Sequence, residues 1–263
     1  MSNLIQRTIT GAVFITVVIG SVLLGDYYFA ALFLIVNILG LNEFYSLLQK
    51  NGLQVQKISG IILGSLVYLY FFYLQRNIFY IGYLLLAPAF FLLVFAIELF
   101  KNRQNPFSNI AHTLLGIIYI SFPLSLFILL PYSYSFYFSY QYFIIIGYCV
   151  ILWTNDTAAY LVGVRFGKHR LFERVSPKKS WEGAIGGLIF GLLAAFILSK
   201  YYIQLTLAKW LIVGLVIIVT GVIGDLIESL FKRSLQVKDT GNLLPGHGGI
   251  LDRFDALFFS APF

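Results

Sequence analysis

Long apolar runs that almost no charge interrupts dominate this chain, and ISGIILGSLVYLYFFYL, residues 58–74, is one of several. Such runs leave few architectures open. A bilayer core of about 30 Å is crossed by roughly 20 apolar residues in a helix, and backbone groups in lipid must find their partners within the segment. A transmembrane barrel would show strands of about 10 residues alternating apolar and polar, and these runs do not alternate. The expected fold class is an all-α polytopic integral membrane protein. Composition points the same way: 11% of residues are charged, against about 25% in an ordinary soluble domain.

Runs near 8–25, 28–48, 58–75, 79–100, 109–131, 141–162, 183–199, 207–231 and 249–263 predict about nine transmembrane helices. The last, GILDRFDALFFSAPF, carries two aspartates and is expected to be half-inserted or cut short. The first superficially resembles a secretory signal. It is too long for a signal's apolar core and further spans follow at once, so an uncleaved helix is expected. Cys149 is the one cysteine, which leaves no intrachain disulfide.

Orientation follows from Lys and Arg counted loop by loop, because cytoplasmic loops carry the excess. With the N-terminus cytoplasmic, fifteen of these residues lie inside and only Arg76, Lys200 and Lys209 outside. The loops 163–182 and 232–249 are then cytoplasmic. Topology and anionic headgroups account for the positive charge of the N-terminal half; no nucleic-acid partner is expected.

The acids are distributed unevenly. Only Asp26, Glu43 and Glu98 precede residue 150, whereas Asp156, Glu173, Glu182, Asp225, Glu228, Asp239, Asp252 and Asp255 follow it. Residues 1–140 are therefore expected to be scaffold with dimer contacts, and 141–263 to carry the active site. An ionised group in an apolar helix is costly and by default a functional candidate. In TGVIGDLIESLFKRS, Asp225, Glu228 and Lys232 share a helical face, with Ser229 four residues after Asp225. Asp252 and Asp255, three apart, face one way with Arg253 beside them. Helices bearing such carboxylates suit Mg²⁺, a hard cation that takes a few carboxylates plus substrate phosphates and water. The alternative is a set of buried salt bridges to Lys232, Arg233 or Arg253.

Two loops add phosphate-handling chemistry. QVKDTGNLLPGHGGILDRFD contains Gly246, Gly248 and Gly249 around His247, and glycines let backbone N–H groups approach an oxyanion. WTNDTAAYLVGVRFGKHRLFERVSPKKSWEG offers Asn155 and Asp156 near a membrane end, then Lys178, Lys179 and Ser180. Ser176 before Pro177 is a plausible helix start, which would present free N–H groups to an anion. GAIGGLIFG reads as a small-residue helix contact. No Walker A or GxGxxG sequence is present.

From Ser229 to Asp255, SLFKRSLQVKDTGNLLPGHGGILDRFD resembles the signature of the phosphatidate cytidylyltransferases, or CDP-diacylglycerol synthases. NDTAAYLVGVRFGKHRLFERVSPKKSWEGAIGG resembles that family's second characteristic region. The resemblance implies a homodimeric, all-helical enzyme of phospholipid biosynthesis in a bacterial cytoplasmic membrane. Its reaction would join phosphatidic acid to CTP, giving CDP-diacylglycerol and pyrophosphate with Mg²⁺, a second cation being a further candidate. It implies Asp225 and Asp252 as metal ligands, with Glu228 and Asp255 as further candidates. Lys178, Lys179, Lys232, Arg233, Lys238 and Arg253 would handle phosphates. Asn155, Asp156, Ser176, Ser180, Ser229, His247, Gly248 and Gly249 complete the expected substrate site, the role of His247 staying open. Members of that family usually run on beyond the point that matches Phe263.

Nucleotidyl transfer asks mainly for positioning and neutralisation of charge, so the lack of a Ser/His/Asp arrangement is consistent with it. The competing possibilities are a CTP-using enzyme acting on another lipid phosphate, a CTP-dependent lipid kinase, and a transporter with Asp156, Asp225 and Asp252 along an ion path. Against the last stands the crowd of cations at one membrane face.

Overall fold

The computed structural model describes residues 3–74, 86–132, 139–241, 243 and 248–263. Its helices are α1 (Asn3–Leu24), α2 (Asp26–Lys50), α3 (Lys57–Leu74), α4 (Leu86–Lys101), α5 (Pro106–Gly116), α6 (Phe122–Phe127), α7 (Tyr142–Phe166), α8 (Trp181–Tyr201), α9 (Leu207–Ser234) and α10 (Leu251–Ser260). Strands β1 (Arg170–Phe172) and β2 (Ser176–Ser180) form an antiparallel hairpin between α7 and α8.

Among the described residues, six segments are long and apolar enough to cross a membrane: Asp26–Lys50, Lys57–Leu74, Pro106–Tyr132, Tyr142–Phe166, Trp181–Tyr201 and Leu207–Ser234. Thr8–Leu24 is a shorter apolar helix. The polytopic all-α class stands, with the hairpin as an addition. Part of the expected run 79–100 lies outside the described residues. The run 249–263 yields α10, ten residues long, or about 15 Å at 1.5 Å per residue, half a bilayer core. Pro106–Tyr132 is composite: a π-helical turn, Ile117–Ser121, joins α5 to α6. It falls where Pro123 offers no N–H to the preceding turn, a usual cause of such local widening.

The chain divides into two compact units, one of Met1–Tyr140 with Leu235–Phe254, the other of Gln141–Ser234 with Asp255–Phe263. In the first, Tyr45 of α2 is fully buried and donates its hydroxyl to the Thr113 carbonyl at 2.6 Å. A Cβ at Gly60 or Gly116 would meet its ring at 2.6 or 2.7 Å, so those glycines admit the tyrosine between α3 and α5. Phe33 packs on Phe29, Phe127 and Phe254 with centroids 4.9 to 5.7 Å apart, and Phe254 also meets Phe14. The first turn of α10 is thereby anchored in an aromatic core.

In the second unit α8 has two faces. Gly183, Gly186, Gly187, Gly191, Ala194, Ala195 and Leu198 are buried, while Ile185, Ile189, Leu193, Phe196 and Ile197 are exposed. Small residues inside and large apolar residues outside are what close helix packing within lipid requires. The GAIGGLIFG stretch is accordingly a helix contact: Gly183 sits against the Ala159 carbonyl, Gly186 against Val162 and Gly187 against Asn155. A Cβ at Gly187 would come within 2.5 Å of Asn155 Oδ1 and 2.9 Å of the Asn155 carbonyl. Gly187→Leu should therefore force α7 and α8 apart, at a cost of about 1–3 kcal/mol or more. A thermal midpoint in detergent equal to wild type would contradict this packing.

One local expectation is corrected. Ser176 and Pro177 do not start a helix; Ser176 lies in β2 opposite Phe172, and the helix begins at Trp181. Ser180 is the N-cap, extended at φ −125°, accepting the Gly183 N–H at 3.2 Å. Pairing of Ser180 with Arg170 across the hairpin keeps the chain extended through Pro177–Lys179, outcompeting the local helix signal of a Ser-Pro pair.

Candidate active site

Four carboxylates and two lysines gather in the second unit. Asp156 comes from α7, Asp225 and Glu228 from α9, and Asp255 from α10. Asp156 lies within electrostatic reach of Asp225 and Lys179, and Asp255 within reach of Asp156, Asp225 and Glu228. Lys179, carried on β2, forms an ion pair with Asp225, both groups partly exposed. Ser229 Oγ donates to Asp225 Oδ1 at a long 3.4 Å. Glu228 is buried and pairs with Lys232 at 2.5 Å, one turn along α9. That pair is the salt-bridge alternative foreseen for this helix. Arg233 and Lys178 are exposed.

The hairpin that delivers Lys179 is itself fastened. Glu182, in the first turn of α8, accepts from the backbone N–H groups of Lys168 and His169 at 3.1 and 3.2 Å and from His169 Nδ1 at 2.6 Å. An open depression of about 710 Å³ beside it is lined by Lys168, His169, Arg170, Glu173, Trp181, Glu182 and Ile185. Its lining includes none of the carboxylates Asp156, Asp225 or Asp255.

A separate polar centre belongs to the first unit. Asp252 Oδ2 accepts three hydrogen bonds, from the Thr240 N–H at 2.9 Å, the Thr240 hydroxyl at 2.8 Å and the Gly249 N–H at 2.9 Å. Three donors on one oxygen fix the plane of the carboxylate. Gly248 takes φ +82°, and a Cβ there would meet Asp252 Oδ2 at 2.6 Å. Lys238 and Arg253 of this unit are exposed. His247 and Gly246 lie outside the described residues.

Asn155 is buried, 1% exposed, in the contact of α7 with α8, where its Nδ2 donates to Asp156 Oδ1 at 3.1 Å. Glu43, from the half of the chain expected to be scaffold, stands at the centre of the first unit's polar cluster. Its Oε2 accepts the Leu251 N–H at 3.1 Å and lies 3.4 Å from the Thr240 hydroxyl. The other early acids make hydrogen bonds within the first unit. Glu98 is buried and accepts from Gln56 Nε2 at 2.7 Å and Asn109 Nδ2 at 2.8 Å. Asp26 accepts from the Tyr132 hydroxyl at 2.8 Å.

Among the described residues no three His, Cys, Asp or Glu side chains converge to enclose a metal ion. The oxygen donors present nevertheless suit a hard cation. Mg²⁺ is commonly held by one or two carboxylates, with substrate phosphates and water completing its shell.

Residues 5–263 match the sequence model of the cytidylyltransferase family. A Bacillus subtilis (strain 168) protein named phosphatidate cytidylyltransferase is 31% identical over 267 aligned positions, covering 100% of this chain and 97% of that protein. Proteins of the same name from Staphylococcus saprophyticus and Staphylococcus aureus (strain COL) are 39% and 37% identical over 180 and 186 positions. Those alignments cover 68% of this chain and 65% of each staphylococcal relative, just under two thirds of its length.

Proposed function

This chain belongs to the cytidylyltransferase family, and we propose that it transfers CMP from CTP to phosphatidic acid, forming CDP-diacylglycerol and pyrophosphate for phospholipid biosynthesis. The observation that carries the proposal is the pairing of Lys179 with Asp225 beside Asp156 and Asp255, a lysine held in place among carboxylates.

In this reaction a phosphate oxygen of phosphatidic acid forms a bond to the α-phosphorus of CTP. The bond from that phosphorus to the bridging oxygen breaks, and pyrophosphate leaves with the electron pair. The attacking phosphate is already an anion at neutral pH, so no general base is obligatory. What the protein supplies is position and charge. Lys179 and Lys232, tethered by Asp225 and Glu228, present ammonium groups at set places. The exposed Lys178, Arg233, Lys238 and Arg253 attract the triphosphate and the lipid phosphate. Asp225 and Asp252 are the proposed Mg²⁺ ligands, Glu228, Asp255 and a second cation being further candidates. Mg²⁺, when bound, would neutralise phosphate oxygens.

The finer topology belongs to the same proposal: about nine spans, a cytoplasmic N-terminus, a homodimer with contacts from residues 1–140, and residence in a bacterial inner membrane with the polar loops facing the cytoplasm. The excess of Lys and Arg in those loops supports that orientation. Because Cys149 is buried, a cysteine placed at the exposed Arg174 should react with an impermeant maleimide in inverted vesicles and not in intact spheroplasts. Labelling of intact spheroplasts would reverse the orientation.

The nearest competitor is a CTP-dependent lipid kinase, and the position of label separates the two. With α-labelled CTP the lipid product should become radioactive, and with γ-labelled CTP the label should leave as pyrophosphate. Transfer of γ label to lipid would establish the kinase instead. Lys179→Ala should raise KM for a phosphate-bearing substrate roughly 10- to 100-fold, the equivalent of a charge-assisted hydrogen bond of about 1.5–3 kcal/mol. Unchanged KM for both substrates would remove Lys179 from the site.

A further inference from the structure

We propose that Glu43 is a positioning residue that clasps Thr240 and Leu251, on either side of 241–249, and thereby holds Asp252 in a single orientation. The clasp itself stands on geometry within the first unit; its link to turnover rests on the cytidylyltransferase reading.

Glu43 sits on a stiff support. Its neighbours Phe44 and Tyr45 are 1% and 0% exposed, so this part of α2 is core. From there the carboxylate reaches residues on both sides of 241–249. On the exit side its Oε2 accepts the N–H of Leu251, the first residue of α10. On the entry side the same oxygen lies 3.4 Å from the Thr240 hydroxyl, which is 2.8 Å from Asp252 Oδ2. One threonine hydroxyl thus stands between the two carboxylates, and movement of either is felt by the other.

Gly241 and Gly249 report the same fit. A Cβ at Gly241 would meet Glu43 Oε1 at 2.7 Å, and one at Gly249 would collide with Glu43 Oε2 and the Thr240 hydroxyl. Gly249 is buried. Its missing side chain makes room for Glu43, which is a more immediate reason for glycine here than the approach of a phosphate. A carboxylate at the first turn of α10 is also favoured by the partial positive charge of the helix N-terminus.

The clasp acts through shape and hydrogen bonding, so glutamine should largely replace glutamate. With its amide oxygen in the place of Oε2, glutamine still accepts the Leu251 N–H and stays beside the Thr240 hydroxyl, which goes on serving Asp252. Alanine leaves Thr240 and Leu251 unclasped.

Hydrogen exchange of the purified full chain in detergent reads the clasp without reference to activity. Glu43→Ala should speed exchange at least tenfold in the peptide spanning 240–251 and leave the hairpin 170–180 unchanged, whereas Glu43→Gln should stay near wild type. In CDP-lipid synthesis, Glu43→Ala should lower kcat roughly 10- to 100-fold and raise the half-saturating Mg²⁺ concentration, the range seen when partners of metal ligands are removed. Glu43→Gln should recover both to within a few-fold. Wild-type exchange in Glu43→Ala would overturn the clasp. So would a Glu43→Gln variant with normal exchange but turnover as low as alanine, because the charge itself would then be the working part. If Glu43→Ala does not fold, Gly241→Ala drives a methyl group at the same carboxylate and should give the same local rise in exchange; none would overturn the proposal. If wild type makes no CDP-lipid, the reaction assignment fails while the exchange result still decides the clasp.

Discussion

Replacing Asp252 with asparagine is expected to lower CDP-lipid formation by about a thousandfold, a barrier increase of roughly 4 kcal/mol. The three bonds onto Asp252 Oδ2 come from donors, the Thr240 N–H, the Thr240 hydroxyl and the Gly249 N–H. Asparagine has no good orientation among them. With its oxygen toward the donors, the opposite position becomes an NH₂ that cannot ligate a cation. With its nitrogen toward them, donor faces donor. The fold should survive, since Phe254 keeps the first turn of α10 packed on Phe14 and Phe33. The check is turnover measured beside the thermal midpoint in detergent. Activity within tenfold of wild type would remove Asp252 from the reaction.

Asp225→Asn is expected to cost 100- to 1000-fold, or about 3–4 kcal/mol, for a different reason. Asp225 lies in a cluster whose charges are interlocked, with Lys179 on one side and Asp156 and Asp255 within reach. Neutralising it releases Lys179 and removes an oxygen donor in one step. The loss should fall on kcat, whereas Lys179→Ala should fall mainly on KM. Because the two groups touch, the double variant should lose less than the product of the single losses. Strict additivity would mean that the ion pair plays no part in turnover.

What the sequence made legible follows from which forces are local. Apolar runs announce membrane helices because each span must satisfy its own backbone in lipid; the runs 207–231 and 141–162 return as Leu207–Ser234 and Tyr142–Phe166. The glycine stripe of α8 was equally visible, being a periodic feature of one segment. Asn155 and Asp156 show the limit. Adjacent in sequence and joined by a hydrogen bond from Asn155 Nδ2 to Asp156 Oδ1, they differ in burial, Asn155 lying buried against α8 and Asp156 exposed, and a sequence does not say which of two neighbours a helix packing contact covers. Ser176 carries a local helix-start signal but lies in β2, because hairpin pairing, a contact between segments, overrides that signal. Glu43 was the hardest to see. Its partner Leu251 is 208 residues away, and a single acid near the end of an apolar helix resembles any other until the chain is folded.

The most direct measurement is product formation by purified protein supplied with phosphatidic acid, CTP and Mg²⁺, with and without a chelator. CDP-lipid and pyrophosphate should appear in equal amounts, and both should cease when chelator is added. Folded protein that yields neither product across a range of lipid phosphates, or that yields them undiminished in chelator, would contradict the account.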